Sequence, residues 1–467
     1  MVATVADPRP GVHLSEWTPT MAVLGPLDSG FMELEDTDRH VSVGIGAIAI
    51  VAGSPPSPAE LEVELAKRLS VDGRLHQKVH RTPWDLAAPT WVTDPNFDLA
   101  HHLRWLALPA PADEDALCDL VAEVMEERLD RDHPLWQCIV VEHLVDDRWA
   151  MIVKVHHSMV DGVSGITLFE RFCDDPAERP DTAAPNAADP PIDWRGLLMK
   201  SLRLPVDVPR FAVQTLRAAV PFALSAVLPA AGSSLNGSIG RQRRYTVARA
   251  SLPAVREIGA AFGTTVNDVV LAAVAAAFRT VLLKRGEEPT ADKLRILTPV
   301  SVRAADAKGA LDNRVSAMLP LLPIESADPV EQLAMVHDRM VEHKASGEAS
   351  AANSFLALAR WLPFASIAWT VRLASRYPQR GISGLATNVP GPRRRLHLYG
   401  QEVLEILAYA PIAMRVRISI AILSYGDQLR FGVTGDYDST PDLHLLAERI
   451  EETIDQLLQR ARDTVPS

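Results

Sequence analysis

His156-His157-Ser158-Met159-Val160-Asp161-Gly162 is the stretch on which the reading of this chain turns. The residues before it, Trp149-Ala150-Met151-Ile152-Val153-Lys154-Val155, are an apolar, β-branched run, and a strand is expected over 149–157. Successive side chains of a strand point to opposite faces. His157 is therefore expected on the side of Val155, Val153 and Met151, and His156 on the side of Lys154 and Ile152. One imidazole then faces an apolar interior and the other faces away, so that substitution of His156 disturbs only the outer side. Two His and an Asp so close together also suggest a metal, but ligands must converge on one point. Adjacent strand residues diverge, and helical zinc spacing sets its histidines at i and i+4, so no metal is expected. A turn follows, in which Gly162 tolerates a positive φ and Asp161 accepts backbone hydrogen bonds. A helix is expected from Val163. A histidine at a strand end, beside a locked turn, is placed to act as a base.

Composition narrows the class. The chain has 467 residues, 47% of them apolar and 23% charged, which suits a globular protein of two or three domains. A net charge of −12 argues against a general nucleic-acid binder, which carries a basic face. Cys118, Cys138 and Cys173 are too few and too scattered for a disulfide framework, which points to a reducing, cytoplasmic compartment. Asp7, Glu16 and several prolines stand where a signal peptide needs an apolar core. The best membrane-span candidate, 218–231, holds Pro221 and Pro229 and is about 14 residues long, against about 20 needed to cross.

From Asp174 to Pro191 the composition turns to Pro, Ala and Asp, which sustains neither helix nor strand. It divides the chain into an N-terminal part (1–173), a linker with an apolar helical segment (174–240) and a C-terminal part (241–467). Strands are expected at 41–51, 137–144 and 149–157 in the first part, with helices at 58–70, 114–129 and 163–173. In the last part a strand follows Arg241-Gln242-Arg243-Arg244. Helices are expected at 252–262, 266–285, 329–344, 355–376 and 441–462, and strands at 294–302, 315–322, 403–410, 416–425 and 429–436. Such mixing in two halves fits an α/β architecture of two packed subdomains.

The HHxxxDG pattern at 156–162 resembles the signature of an acyltransferase superfamily that includes the bacterial wax ester synthase/diacylglycerol acyltransferases, condensation domains and chloramphenicol acetyltransferase. Other segments resemble the first of these in particular: Pro26 to Glu35, Phe97-Asp98-Leu99 with His101-His102, and Pro134-Leu135-Trp136. In the C-terminal half they are Asn267 to Ala272, Pro299 to Arg303, Asn388-Val389-Pro390-Gly391-Pro392, Leu423-Ser424-Tyr425 and Leu429 to Gly432. They span nearly the whole chain in the expected order. The resemblance implies two chloramphenicol-acetyltransferase-like subdomains enclosing a central substrate tunnel, with the catalytic histidine midway.

It also implies acyl transfer from a thioester to an alcohol. The alcohol is a weak nucleophile near neutral pH, and a histidine, largely neutral there, can take its proton. His157 is the expected base; His156 flanks it, and Asp161 and Gly162 hold the turn. Asn267, from the family's Asn-Asp motif, is either polar support near the tunnel centre or the N-cap of the following helix. Glu35 matches an acidic position of the family and either joins this network or is a surface carboxylate. Arg303 is the expected partner of Asp161 across the subdomains. Arg393, Arg394 and Arg395 are either contacts to coenzyme A phosphates or a solvated basic run, and Pro134-Leu135-Trp136 is read as packing. The chain departs from the family at Met414 to Ile420, where Arg415 and Arg417 replace an uncharged stretch.

The function expected is acyl-CoA-dependent O-acylation in neutral lipid synthesis, triacylglycerol from diacylglycerol and wax esters from fatty alcohols. Acyl-CoA is a co-substrate, and no cofactor, metal or nucleic acid is expected. Transfer from a carrier protein onto a polyketide or glycolipid hydroxyl, and a silent lipid-binding paralogue, are the alternatives. Aromatics beside arginines at 356–373 (Trp361, Phe364 and Trp369 with Arg360 and Arg372), and an apolar run at 211–228, suggest peripheral attachment at the inner membrane face or at lipid droplets.

Overall fold

A computed structural model of the chain describes residues 22–69, 73–81, 87–160, 162–174, 232–301, 315–345 and 381–464, with positions 364, 368, 369, 372 and 379. Asp161, Arg303, Trp361 and the 211–228 segment lie outside the described residues. The N-terminal elements are β1 (Ala22–Val23), α1 (Pro26–Thr37), β2 (Gly44–Ala52), α2 (Pro58–Leu69), β3 (Gln77–His80), β4 (Thr90–Thr93), β5 (Leu103–Ala107), α3 (Glu114–Glu126), β6 (Trp136–Leu144), β7 (Arg148–His156) and α4 (Gly162–Glu170). Beyond residue 231 follow β8 (Arg243–Ser251), α5 (Leu252–Phe262), α6 (Val266–Lys284), β9 (Ile296–Ser301), β10 (Val315–Met318) and α7 (Pro329–Ala345). The chain closes with β11 (Gly384–Val389), β12 (His397–Leu398), β13 (Gln401–Tyr409), β14 (Ile418–Tyr425), β15 (Gln428–Asp436) and α8 (His444–Thr464).

Two six-stranded sheets carry these elements, in the orders β12-β13-β2-β7-β6-β5 and β10-β9-β11-β14-β15-β8. A small sheet, β1-β4-β3, packs Trp91 and Val79 into the core of the first. Strand β13 lies late in the chain but pairs antiparallel with β2, Leu407 opposite Ile48, so the C-terminal part completes the N-terminal sheet. In the second sheet β11 runs parallel to β14, while β14 and β15 form an antiparallel hairpin to which β8, from much earlier in the chain, adds antiparallel.

Strand β7 sits at the middle of the first sheet with both faces covered. Met151, Val153 and Val155 pack with Leu61 and Leu65 of α2 and Phe169 of α4. Ala150 and Ile152 pack with Leu117, Val121 and Met125 of α3, and with Tyr245 and Val247 of β8. The expectation that one face of this strand looks outward is therefore corrected: the second subdomain and α3 cover it. Lys154 on that face is completely buried. Its Nζ donates to the carbonyls of Val124 and Glu127 at 2.6 and 2.5 Å. A cation there meets the unpaired carbonyls and negative dipole end of α3, and α3 stops at Glu126, short of the expected 129. Burial pushes the Lys154 ammonium down to about 8, against the pull of Glu127 and Glu35.

Helix α6 is apolar enough, over 19 residues, to cross a membrane by length and composition. It is the core helix of the second subdomain instead: Val269 through Phe278 are buried without a break, as expected of a helix that is apolar all round.

The sheets meet where β15 crosses β13. Tyr245 Oη donates to the Ala408 carbonyl at 2.9 Å, and Gly432 lets that carbonyl come in, since a Cβ at 432 would lie 1.9 Å from the Ala408 oxygen. Arg249 of β8 fastens the seam, its guanidinium binding Glu114 of α3 and Glu405 of β13. The other motifs clasp nearby: Gly391 N–H donates to Ser424 Oγ at 3.1 Å, and Tyr425 Oη receives from Leu396 N and donates to the Val403 carbonyl.

Gly432→Ala is expected to destabilise the protein by at least about 2 kcal/mol through overpacking, measured by chemical denaturation. A variant as stable as wild type would show that the sheets slide apart freely at this crossing.

Candidate active site

Helix α1 begins with Pro26 at its first turn, and the Asp28 carboxylate folds back on the Gly25 N–H at 3.3 Å. Phe31 and Glu35, four residues apart, share one face of it. That face meets both histidines. The Phe31 ring stacks on His157 with centroids 4.0 Å apart and planes 19° from parallel. Glu35 Oε2 lies 3.6 Å from His156 Nε2, both side chains being 1% exposed.

The two imidazoles are held differently. The Ser158 backbone N–H donates to His156 Nδ1 at 3.1 Å, and Ser158 Oγ lies 2.8 Å from the same nitrogen. A backbone N–H only donates, so Nδ1 is an acceptor and a neutral His156 ring carries its proton on Nε2, towards Glu35. His156 N–H donates to the Leu135 carbonyl at 2.9 Å. Both nitrogens of His156 are thus directed inward. His157 lies just past the last residue of β7; its N–H donates to the Val43 carbonyl at 3.1 Å and its side chain is half-buried. His157 is the more accessible of the pair and His156 the one sealed in the interior, which corrects the expected facing, with His157 inward and His156 outward.

Glu35 is no surface carboxylate. Arg131 donates to its Oε2 at 2.7 Å and the Val43 N–H to Oε1 at 3.3 Å. Burial pushes the carboxyl up, but His156 and Arg131 outweigh it and hold it down to about 2. On the same helix, the buried Glu33 receives Arg81 at 2.5 Å and Arg372 at 2.8 Å, while Asp36 pairs with Arg81 and with Arg131. Arg128 donates to the carbonyls of Val41, Glu35 and Asp38.

Pro134-Leu135-Trp136 packs. Trp136 is 1% exposed, stacks on His102 at 4.3 Å and donates its Nε1 to the Leu75 carbonyl at 2.9 Å. Gly162 opens α4. Asn267 is not the N-cap: Thr265 caps α6 in a capping box with Asp268, and Asn267 is the helix's second residue. Its Oδ1 accepts from Asn388 Nδ2 at 3.4 Å, joining the Asn-Asp motif to the Asn-Val-Pro-Gly-Pro motif. The three arginines part company. Arg395 pairs with Glu402, Arg394 lies 3.7 Å from Glu170, and Arg393 lines a cavity with Asn388 and Ser424. Arg417, in the stretch that departs from the family, donates to the carbonyls of Ser234 and Ser238. Arg131 and Phe31 escaped the sequence reading; the spacing of Phe31 and Glu35 was the available signal for the latter.

A family model described as the wax ester synthase/diacylglycerol acyltransferase catalytic domain matches residues 24–270, and one for the C-terminal domain of the same proteins matches 311–458. A Mycobacterium tuberculosis protein named a probable diacylglycerol O-acyltransferase, tgs1, is 42% identical over 444 residues, covering 93% of this chain and 95% of its own. The solved wax ester synthase/diacylglycerol acyltransferase of Marinobacter aquaeolei VT8 is 26% identical with a TM-score of 0.65, over 94% of this chain and 100% of that one. The first condensation domain of the CDA synthetase, 16% identical with a TM-score of 0.60 over 96% and 97% of the two chains, shares the fold. The two-subdomain architecture expected from the sequence is the one found. With both domains of the family matched in order and the His156-His157 pair set against α1, this chain belongs to the wax ester synthase/diacylglycerol acyltransferase family and is an acyltransferase.

Proposed function

We propose that the protein transfers a long-chain acyl group from acyl-CoA to diacylglycerol, giving triacylglycerol, and to fatty alcohols, giving wax esters, with His157 as the general base. The observation that carries this reading is the division of labour between the histidines. Both nitrogens of His156 are directed to protein groups, whereas His157 is half-buried at the end of β7 with its ring on Phe31. The diacylglycerol acceptor is supported by the name of the 42% identical relative.

In the step proposed, the acceptor hydroxyl gives its proton to His157 as its oxygen attacks the thioester carbonyl carbon. A tetrahedral intermediate forms, then collapses with cleavage of the carbon–sulfur bond. The departing thiolate takes the proton back from His157, leaving an ester and free coenzyme A. No metal or cofactor enters the step. Asn267, whose Oδ1 is engaged by Asn388, has an NH2 group left to support polar groups in the tunnel, including the developing oxyanion. The Arg131–Glu35–His156 array acts on His157 indirectly, by fixing the strand end it hangs from.

The enzyme is proposed to work at a lipid surface, peripherally. Trp369 is 65% exposed, and Arg372, one turn on, is tied to Glu33 of α1, which brings an exposed indole close to the helix that carries the site.

Incubation with labelled long-chain acyl-CoA and diacylglycerol, fatty alcohol or water decides the reaction; label appearing in none of the esters removes the reading. His157→Ala is expected to lower kcat by about 10²-fold or more with an unchanged melting temperature. His156→Ala is expected to lower both rate and melting temperature, because it opens a cavity in the interior and strips Glu35 of a partner. Equal stability of the two variants would contradict their assigned burial.

Glu35→Gln tests the buried carboxylate by pH. Its folded-state pKa is depressed, so its contribution to stability is full above about pH 4.5 and is lost as the pH falls towards 2. The stability difference between wild type and variant, from denaturant melts across this range, is expected to shrink with falling pH; a constant difference would refute the pairing. Trp369→Ser is expected to reduce flotation with liposomes without changing the melting temperature, and undiminished flotation would dismiss this residue as a lipid contact.

A further inference from the structure

Between the first turns of α5 and α6 and the loop after β11 lies a cavity of about 220 Å³, walled by Arg256, Val266, Asn388, Gly391, Arg393 and Ser424 among others. Ligand pockets that engulf a whole small molecule usually exceed about 300 Å³, so a space of this size takes one end of a larger one. Its chemistry is one-sided. Among the described residues no acidic side chain lines it. Arg256 and Arg393 form no salt bridge among the described residues, whereas the neighbours Arg394 and Arg395 are balanced by Glu170 and Glu402. Arg256 and Arg393 are exposed at the rim of this space, so that two guanidiniums without an acidic partner are open to an incoming anion.

The surrounding backbone adds to this. Leu252 and Val266, the first residues of α5 and α6, both line the cavity, so the positive ends of two helices border it. Asp268 offsets part of that field at α6 by accepting from Thr265 N, which leaves the arginines as the main attraction. The cavity is also close to the catalytic strand. Asn388 and Ser424 face it, while the alternating residues Val389, Leu423 and Tyr425 belong to the apolar cluster that holds Val153 and Val155 of β7.

We infer that this cavity takes phosphate groups of coenzyme A, with Arg256 and Arg393 donating to phosphate oxygens in the forked geometry of guanidinium–phosphate pairs. The inference rests on the acyl-CoA reading and assigns a subsite to it. Arg393 thereby separates from Arg394 and Arg395, whose charges are spent within the protein.

The test is binding without turnover, by titration calorimetry on the full-length protein, with free coenzyme A, pantetheine and phosphatidylglycerol vesicles as separate probes. Wild type is expected to bind coenzyme A at least about tenfold more tightly than pantetheine, the effect of charge-assisted hydrogen bonds. In Arg256→Ala/Arg393→Ala that ratio falls to near one, and Arg393→Lys keeps part of it. Two probes compared on one protein cancel any loss of folded material. An unchanged ratio in the double variant overturns the inference, as does binding of vesicles, and not of coenzyme A, through these arginines. Failure of the donor reading shows separately, as no transfer from labelled acyl-CoA by a protein that still separates coenzyme A from pantetheine through Arg256 and Arg393; the phosphate subsite would then stand.

Discussion

Glu35 is a carboxylate almost wholly removed from water, and such a group persists only beside donors and positive charge. Arg131, the Val43 N–H and His156 supply them, and each fixes a different part of the site. Arg131 comes from the segment leading into β6, Val43 from the one leading into β2, and His156 from the end of β7. The carboxylate thus gathers three chain segments about α1. Phe31, one turn earlier on the same helix, lies on His157, so the pairing that seals His156 inside also sets the ring on which the proposed base rests. Adjacent histidines with opposite environments follow from one helix face meeting one strand end.

Strand alternation was legible at 149–157 because the run is long and β-branched, and alternation does separate the two rings. What alternation alone could not say is which side is wet. Both are covered, one by α2 and α4 and the other by α3 and β8. Part of the second cover, β8, comes from a subdomain that begins about 90 residues later in the chain, and no local pattern reports it. Lys154 shows the same limit. On sequence a lysine marks the solvent side, yet here its ammonium ends α3 by binding that helix's last carbonyls.

The boundaries that could be read well were those set by local chemistry. Helix α5 runs over the expected 252–262 because Ser251 caps it and Gly263, at φ 67°, ends it. Asn267 was ambiguous because both Thr265 and Asn267 are cap-forming residues three or fewer positions from the apolar run. The reciprocal Thr265–Asp268 pair wins the cap and leaves Asn267 free to meet Asn388. Helix α1 went unassigned, since Ser29 and Gly30 within Pro26–Thr37 weaken any helical pattern. Its formation depends on tertiary partners: Met32 in the core, and Glu33, Glu35 and Asp36 each on an arginine.

Charge in this protein is organised by pairing more than by total. The chain is acidic overall, which by itself predicts repulsion of an anionic substrate. Yet Glu33, Glu35 and Asp36 of α1 are consumed by Arg81, Arg131 and Arg372, and Glu405 by Arg249 and Arg430. Carboxylates neutralised at short range project little field beyond a Debye length of about 8 Å in physiological salt. The potential a ligand meets is then set by the unpaired groups nearest to it. Around the cavity beside Asn388 those groups are arginines, so a protein of net charge −12 can present a locally positive surface there, as the proposed phosphate subsite requires.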